Sequence, residues 1–134
     1  MELIGMSRKN KQIIKWLKEP EEHDYPAARY YLDLIYDDSK VNDIIKRLQK
    51  SEMREFKAKD IFRASELPLL GIDNFHVHKN CKKIKDNKEL SPILLVRDSE
   101  HSKVIIADGY HRVSAVYYFN EDSDIPCKIV NLKI

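Results

Sequence analysis

The sequence predicts a mixed α/β fold of the α+β type, and three observations support this prediction. Apolar residues at helical spacing dominate the first part of the chain. Two β-rich runs, Pro92–Arg97 and Lys103–Ala107, then come before an apolar helical segment at Tyr110–Phe119. The last segment, Ile125–Ile134, is rich in Ile and Val, as strands are. We therefore expect a small mixed sheet with flanking helices, preceded by a helical part.

Length and composition set the broad class of the protein. A chain of 134 residues has the length of one domain. We predict an α/β domain at 56–134 and, before it, a helical extension at 1–55 that packs on this core. No apolar run approaches the roughly 20 residues of a membrane span, and MELIGMSRKNK lacks the apolar region of a secretory signal. Two isolated cysteines form neither a disulfide framework nor a zinc set. We expect a cytosolic protein that does not contact a membrane.

Three helices are predicted in the N-terminal part. Ser7 can cap the first, which presents Ile13, Ile14 and Leu17 on one face and ends before Pro20. The second follows the spacing i, i+3, i+4, i+7, i+8, which is typical of an amphipathic helix, at Ala27, Tyr30, Tyr31, Leu34 and Ile35. The third repeats this pattern after Asp37-Asp38-Ser39, at Val41, Ile44, Ile45 and Leu48.

The pattern changes near Phe56. The segment FKAKDIF predicts a short strand, and Pro68 and Gly71 predict an irregular crossing after it. Asp73 or Asn74 can cap a helix that carries Val77, Cys81 and Ile84 on one face. The strands Pro92–Arg97 and Lys103–Ala107, a central helix at Tyr110–Phe119 and a closing strand at Ile125–Ile134 complete the prediction.

Charge is distributed in blocks, although the formal net charge is only +2. Residues 1–18 are basic, residues 19–38 are acidic, and lysines recur between Lys79 and Lys88. Such blocks usually form solvated faces. The alternative is that the lysines around Lys79 attract phosphate. The small net charge argues against dedicated nucleic-acid binding.

The segment with the clearest chemical signal is Asp108-Gly109-Tyr110-His111-Arg112. A hydrophobic strand ends at Asp108, Gly109 lets the backbone turn, and a helix starts at once. First-turn N–H groups have no helical partners and lie at the positive end of the helix dipole. Because cations are unfavourable there, His111 and Arg112 indicate a bound anion. The alternative interpretation is that Arg112 pairs with Asp108 or another nearby carboxylate.

This segment resembles the ParB/sulfiredoxin-like fold, whose members carry a G-x-x-R-x-x-A or G-C-H-R element at a strand-to-helix turn. Here the element is Gly109-Tyr110-His111-Arg112-Val113-Ser114-Ala115. The resemblance extends over residues 56–130, since FKAKDIFRASELPLL looks like the family's opening strand and turn, residues 74–88 like its lysine-bearing helix, and IPCKIV like its closing strand.

The resemblance implies a nucleotide-binding site, because the family holds ATP or CTP phosphates at this turn. Carried over to this chain, Gly109, Tyr110, His111 and Arg112 would face the phosphates, with Lys79 as a further candidate. Kinase-like members use carboxylates near the turn, so Asp108 and Glu66 are candidates, and we name Asp108 and His111 as the catalytic candidates. The nucleotide, a triphosphate or diphosphate, would bring Mg²⁺, and we expect no dedicated protein metal site.

Two departures limit what the resemblance implies. Sulfiredoxins carry a cysteine immediately before His-Arg, and this chain has Tyr110 there, which argues against sulfinic acid reduction. ParB partition proteins carry Gly-Glu-Arg-Arg and a following helix-turn-helix region. The Glu is absent here and the sequence stops at Ile134, which argues against DNA clamping.

Three hypotheses follow. The first is a nucleotide- or phosphate-binding protein. If it is an enzyme, this hypothesis predicts that it catalyses phosphoryl transfer or nucleotide hydrolysis. The second is a nucleic-acid-binding or nuclease-like module. The third is a non-catalytic interaction domain in which Arg112 makes a buried salt bridge.

The other groups of chemically interesting residues favour structural roles. His76 and His78 point apart on a helix, and Cys81 and Cys127 fit the core. The tyrosines at 25–36 fit an amphipathic face rather than a base-stacking surface.

Overall fold

The structure, a computed structural model, describes residues 12–132. This range contains five helices and six strands. In chain order they are β1 (Lys15–Trp16), α1 (Asp24–Leu32), α2 (Asp38–Lys50), β2 (Arg54–Lys57), α3 (Ala58–Ser65), α4 (Phe75–Lys85), β3 (Glu89–Leu90), β4 (Ile93–Asp98), β5 (Lys103–Asp108), α5 (Tyr110–Phe119) and β6 (Asp124–Asn131). The fold is therefore α+β, as the sequence predicts.

The main sheet is mixed and has the strand order β2-β6-β4-β5. The hairpin partners β4 and β5 are antiparallel, β6 runs parallel to β4, and β2 closes the other edge antiparallel to β6. A separate parallel pair joins β1 to β3, with Trp16 opposite Leu90. The sheet thus places the end of β5, and the turn into α5, at its edge.

Helices cover both faces of the sheet, which explains why β4 is apolar at consecutive positions. Ile93 and Leu95 belong to a core shared with α3, α4 and α5, whereas Leu94 and Val96 belong to a core shared with α1 and α2. All four side chains are almost fully buried. A strand buried on both faces has a continuous apolar run instead of the alternation of a half-exposed strand.

The third predicted helix is confirmed as α2. Asp37 accepts a hydrogen bond from the backbone N–H of Lys40 at 2.9 Å and so caps the helix. The predicted apolar positions Val41, Ile44, Ile45 and Leu48 are all buried. Helix α2 packs against β6 and α1, which places it on the second face of the sheet.

The first predicted helix is wrong in the part that the structure describes, and its cap Ser7 lies outside the described residues. Residues 12–14 have no regular structure, and Lys15–Trp16 form a strand. Ile14 and Trp16 pack against the core, while Ile13 is 74% exposed and Lys15 is also exposed. This alternation has the period of a strand, and burial of Trp16 beside Leu90 favours it over the helical spacing.

The second helix is present as α1, but the predicted apolar stripe is not its buried face. Helix α1 ends at Leu32 and buries Tyr25, Ala28 and Leu32. Its predicted core residues Tyr30 and Leu34 are 75% and 83% exposed, respectively. Two sets of apolar residues at helical spacing overlap here, and the set with the small Ala28 is the one that packs against the sheet.

The C-terminal half matches the predicted elements apart from one helix. Helices α4 and α5 and strands β4, β5 and β6 lie at the predicted places, although β6 spans Asp124–Asn131. Of the strand predicted at FKAKDIF, only Phe56 and Lys57 belong to β2, and residues 58–62 form the start of helix α3 instead. Ala58, Ile61, Phe62 and Ser65 make a buried helical face in that segment. The irregular crossing predicted at Pro68 and Gly71 is present, since residues 66–71 are in neither helix nor strand. The domain division at residue 55 stays a prediction.

None of the helices between residues 12 and 132 is both long enough and apolar enough to cross a bilayer.

Candidate functional site

The turn between β5 and α5 has the geometry that the sequence predicts. Strand β5 ends at Asp108, Gly109 takes a φ of 113°, and α5 begins at Tyr110. A side chain at Gly109 would be strained at this φ, and a Cβ atom there would lie 2.4 Å from Cδ1 of Ile93. The turn therefore requires glycine for both conformation and space.

The N-terminus of α5 lacks the features that usually balance a helix dipole from within the helix. Its N-cap Gly109 offers no side-chain hydrogen bond, and its first turn contains no acidic residue. The other helices of residues 12–132 differ: α2 and α4 have side-chain caps at Asp37 and Asn74, and α1 and α3 have acidic residues in their first turns. The first turn of α5 instead carries Arg112, a cation that needs a negative partner at this end of a helix.

Arg112 forms an ion pair with Asp108. Its Nη2 atom donates to Oδ2 of Asp108 at 2.8 Å and contacts the carbonyl oxygen of Pro92 at 3.4 Å. Both side chains of the pair are 17% exposed. The Nε atom of Arg112 is buried and has no hydrogen-bond partner among the described residues. Because Nε is buried, any hydrogen bond that Arg112 donates to a ligand has to come from its terminal Nη1 and Nη2 atoms.

A second carboxyl group, that of Asp24 at the start of α1, lies beside both Arg112 and Asp108. Its Oδ1 atom is 3.9 Å from Nη1 of Arg112, and its side chain is 2% exposed. Its Oδ2 atom accepts hydrogen bonds from the backbone N–H of Glu21, at 2.9 Å, and from the hydroxyl of Ser91. Asp24 thus joins the N-terminal part of the chain to the predicted site.

Neither Asp24 nor Ser91 is among the residues that the sequence analysis selects. Asp24 is one of several acidic residues in an acidic block, and nothing in the sequence distinguishes it from its neighbours. Glu66, the other carboxylate candidate, is an exposed residue that ends α3 in a left-handed conformation. The carboxylate found beside Arg112 and Asp108 is therefore that of Asp24.

Burial and charge shift the pKa of Asp108 upwards. Burial has the largest effect, and the Asp24 carboxylate raises the pKa further, while Arg112 opposes both. Since Asp108 is already bound to Arg112, its carboxylate is occupied as an ion-pair partner. Arg112 engages the Oδ2 atom of Asp108, and the Asp24 carboxyl group is the second partner of the same side chain.

His111 lies beside a histidine from another helix. Its ring centroid is 4.9 Å from that of His76 in α4. Burial lowers the pKa of His111, and the nearby His76 and Arg112 lower it further. A neutral imidazole at pH 7 can donate one hydrogen bond and accept one proton.

Tyr110 and Lys79 are placed differently from the other candidates. The Tyr110 hydroxyl donates to the carbonyl oxygen of Pro68 at 2.6 Å, so only its backbone N–H belongs to the turn. Lys79 lines an open groove of about 580 Å³ whose described lining excludes residues 108–112: Leu17, Glu21, Lys79, Lys82, Lys83, Asp86, Lys88 and Glu89. The structure therefore brings together five of the six predicted binding and catalytic residues and leaves Lys79 on a neighbouring surface.

Metal and thiol chemistry have little support in the described range. Residues 12–132 contain no group of three or more His, Cys, Asp or Glu side chains placed to hold a metal ion. Burial raises the pKa of Cys81 to about 11 and that of Cys127 to about 12. Both thiols therefore stay protonated at neutral pH, which argues against a nucleophilic role for either.

The chain was compared with family models, with curated proteins and with solved structures, and none of them matches it. The resemblance to the ParB/sulfiredoxin-like fold accordingly stays a prediction.

Proposed function

We propose that this protein binds the phosphate group of a nucleotide or a related ligand at the Asp108–Arg112 turn. The observation that carries the proposal is the N-terminus of α5, which has neither a side-chain cap nor an acidic first-turn residue and instead carries His111 and Arg112. Backbone N–H groups at such a terminus point towards an anion, and the helix dipole favours its charge. A phosphate would accept hydrogen bonds from these N–H groups and from Arg112.

The ion pair with Asp108 is compatible with this role. Arg112 uses Nη2 for Asp108 and Pro92, whereas Nη1 is 3.9 Å from Asp24, beyond hydrogen-bond distance, and so keeps donor capacity. Two carboxylates hold the guanidinium in place before any ligand arrives. A donor that is already ordered loses less conformational entropy on binding than a mobile side chain.

Mg²⁺ has no ready-made site in the described residues, so it would arrive on the phosphate oxygens of the ligand. Arg112 lies 2.8 Å from Asp108, and its positive charge disfavours a cation on that carboxylate. The residues of the turn would therefore bind and orient phosphate. If the protein is an enzyme, phosphoryl transfer or nucleotide hydrolysis is the class to test, with Asp108 and His111 as the catalytic candidates.

The fold proposal has a separate basis. The mixed sheet β2-β6-β4-β5 places a Gly-x-His-Arg turn directly after an edge strand, and α4, with its lysines, precedes the central strands. This order of elements agrees with the resemblance to the ParB/sulfiredoxin-like fold. We include that fold in the proposal.

A thermal-shift panel tests the phosphate site. Wild type and Arg112→Ala would be heated with ATP, ADP, CTP, GTP or pyrophosphate, each with and without Mg²⁺. A ligand at about 100 times its Kd stabilises the folded state by about 2.7 kcal/mol, which is a shift of several degrees for a domain of this size. We expect the shift in wild type and its loss in Arg112→Ala.

Arg47→Ala is the matched control. Arg47 also pairs with an aspartate four residues earlier, Asp43, at 2.9 Å, but on α2. This variant should lose an ion pair and keep the ligand-induced shift. If no ligand shifts the wild type, or if Arg112→Ala responds as the wild type does, the turn is not a phosphate site.

A non-catalytic interaction domain is the second candidate function, and the Arg112–Asp108 contact at 2.8 Å favours it. In this case Arg112 only ties α5 to the end of β5. The panel separates the two candidates, because this one predicts no ligand-induced shift in wild type or in either variant.

A further inference from the structure

An exposed aromatic ring lies close to the proposed phosphate site. Phe75 is the first residue of α4, and its side chain is 72% exposed. Its ring centroid is 5.3 Å from that of His76, which is in turn 4.9 Å from that of His111. A single exposed apolar side chain is ordinary. This one belongs to a row of rings that reaches the first turn of α5.

The chain around Phe75 is held against α5. Asn74 accepts hydrogen bonds from the backbone N–H groups of His76, at 2.9 Å, and Val77, at 3.2 Å, which fixes the start of α4. In the preceding loop, the Tyr118 hydroxyl donates to the carbonyl oxygen of Leu70 at 2.8 Å, and Tyr110 binds Pro68 similarly. The backbone that carries Phe75 is thus tied to the helix that forms the turn.

We propose that the exposed ring of Phe75, with the His76 ring packed against it edge to face at 78°, is a stacking surface for the base of a nucleotide whose phosphate binds at the Gly109–Arg112 turn. This inference rests on the proposed function and names its ligand as a nucleotide rather than a phosphate without a base. A nucleobase presents a flat π face, and aromatic side chains bind such faces with little dependence on sequence. The His76–His111 contact makes the ring surface and the turn neighbours, so one ligand can touch both.

Charge near the rings supports the same ligand class. Lys79 lies one helical turn after His76 on α4 and is exposed, so the two side chains share a face of the helix. Aromatic rings beside basic side chains are the usual combination in sites for nucleotides and single-stranded nucleic acids. A purely apolar partner would gain nothing from this lysine.

Equilibrium binding of ATP, CTP and inorganic triphosphate tests the proposal, because the last ligand carries the phosphates without a base. We expect wild type to bind at least one of the two nucleotides about tenfold or more tightly than triphosphate. Phe75→Ala should remove most of that preference and leave triphosphate affinity unchanged, while Phe75→Trp should preserve the preference. Since Phe75 is largely exposed, both variants should fold.

Tyr30→Ala is the matched control. Tyr30 is 75% exposed and lies on α1, which packs on the face of the sheet opposite to α4 and α5. It should leave the preference for the nucleotide unchanged. Equal binding of nucleotides and triphosphate by wild type overturns the stacking surface and leaves the phosphate site standing. A preference that survives in Phe75→Ala also overturns the stacking surface. Absence of binding by all three ligands overturns the phosphate site and this inference together.

Discussion

The carboxylate of Asp24 lies 3.9 Å from the guanidinium of Arg112 and connects the start of α1 to the first turn of α5. Asp24 also accepts hydrogen bonds from the backbone of Glu21 and the hydroxyl of Ser91. One buried side chain therefore links the N-terminal segment, the approach to β4 and the candidate site. This relationship leads to the first prediction.

Asp24→Ala should lower the free energy of unfolding by about 2–4 kcal/mol, because it leaves buried donors and part of a buried charge without a partner. Urea unfolding measures this change. The double variant with Arg112→Ala should cost less than the sum of the single changes, by at least about 0.5 kcal/mol. Additive costs would mean that Asp24 and Arg112 do not interact energetically.

The register of α1 is tested by a pair of leucines. Leu32 is fully buried and Leu34 is 83% exposed. Leu32→Ala should lower the free energy of unfolding by about 2–5 kcal/mol, while Leu34→Glu should change it by no more than about 0.5 kcal/mol. Chemical denaturation of both variants gives the comparison. The opposite ranking would restore the apolar stripe that the sequence predicts and contradict the observed packing.

Gly109 and Gly71 test whether the turn before α5 requires glycine, because an added Cβ atom would meet a close neighbour at both positions. In Gly109→Ala, a methyl group would meet the Ile93 side chain at a φ of 113°, so we expect a loss of at least about 2 kcal/mol in unfolding free energy. In Gly71→Ala, the contact is the tip of the Asp73 side chain, which can move. Thermal melts should therefore show a large change for Gly109→Ala and a small one for Gly71→Ala. Equal melting temperatures would show that the turn tolerates a side chain.

The pKa of His111 should govern a pH dependence of stability. Because its pKa in the folded state is below the usual 6.5, the unfolded chain binds more protons between the two values. The contribution of His111 to stability is therefore complete above about pH 6.5 and decreases as the pH falls towards its folded pKa. His111→Asn should remove this part of the pH dependence.

NMR titration of His111 gives a direct check. His76 is one cause of the lowered pKa, so His76→Asn should raise the pKa of His111, and Arg112→Ala should raise it as well. Asp43→Asn, which changes a charge on α2, should leave it unchanged. A His111 pKa that is insensitive to His76→Asn would contradict the close approach of the two rings.

Local signals predicted most of the C-terminal half, and long-range packing decided what they missed. The Asp-Gly-Tyr-His-Arg segment contains its own strand end, glycine turn and helix start, so five candidate residues follow from adjacent positions. Asp24 comes to the same place only because α1 packs on β5. No property of the sequence near Asp24 indicates this.

Overlapping periodicities explain the errors in the N-terminal part. Ile13, Ile14 and Leu17 fit a helix, but Ile14 and Trp16 also fit a strand, and the edge offered by Leu90 makes the strand the better choice. In α1 two apolar faces compete, and only contact with the sheet decides which face is buried. Patterns within one segment carry no information about the surface that the segment will meet.

The place of β6 in the sheet has a consequence for synthesis of the protein. This strand follows every other described strand in the chain, yet it lies between β2 and β4 and hydrogen-bonds to both. While the ribosome is still making residues 124–131, β2 has no partner in the main sheet, and one edge of β4 is open. The nascent chain therefore has open strand edges on β2 and β4 until residues 124–131 have been added, and chaperones that shield such edges would act during that interval.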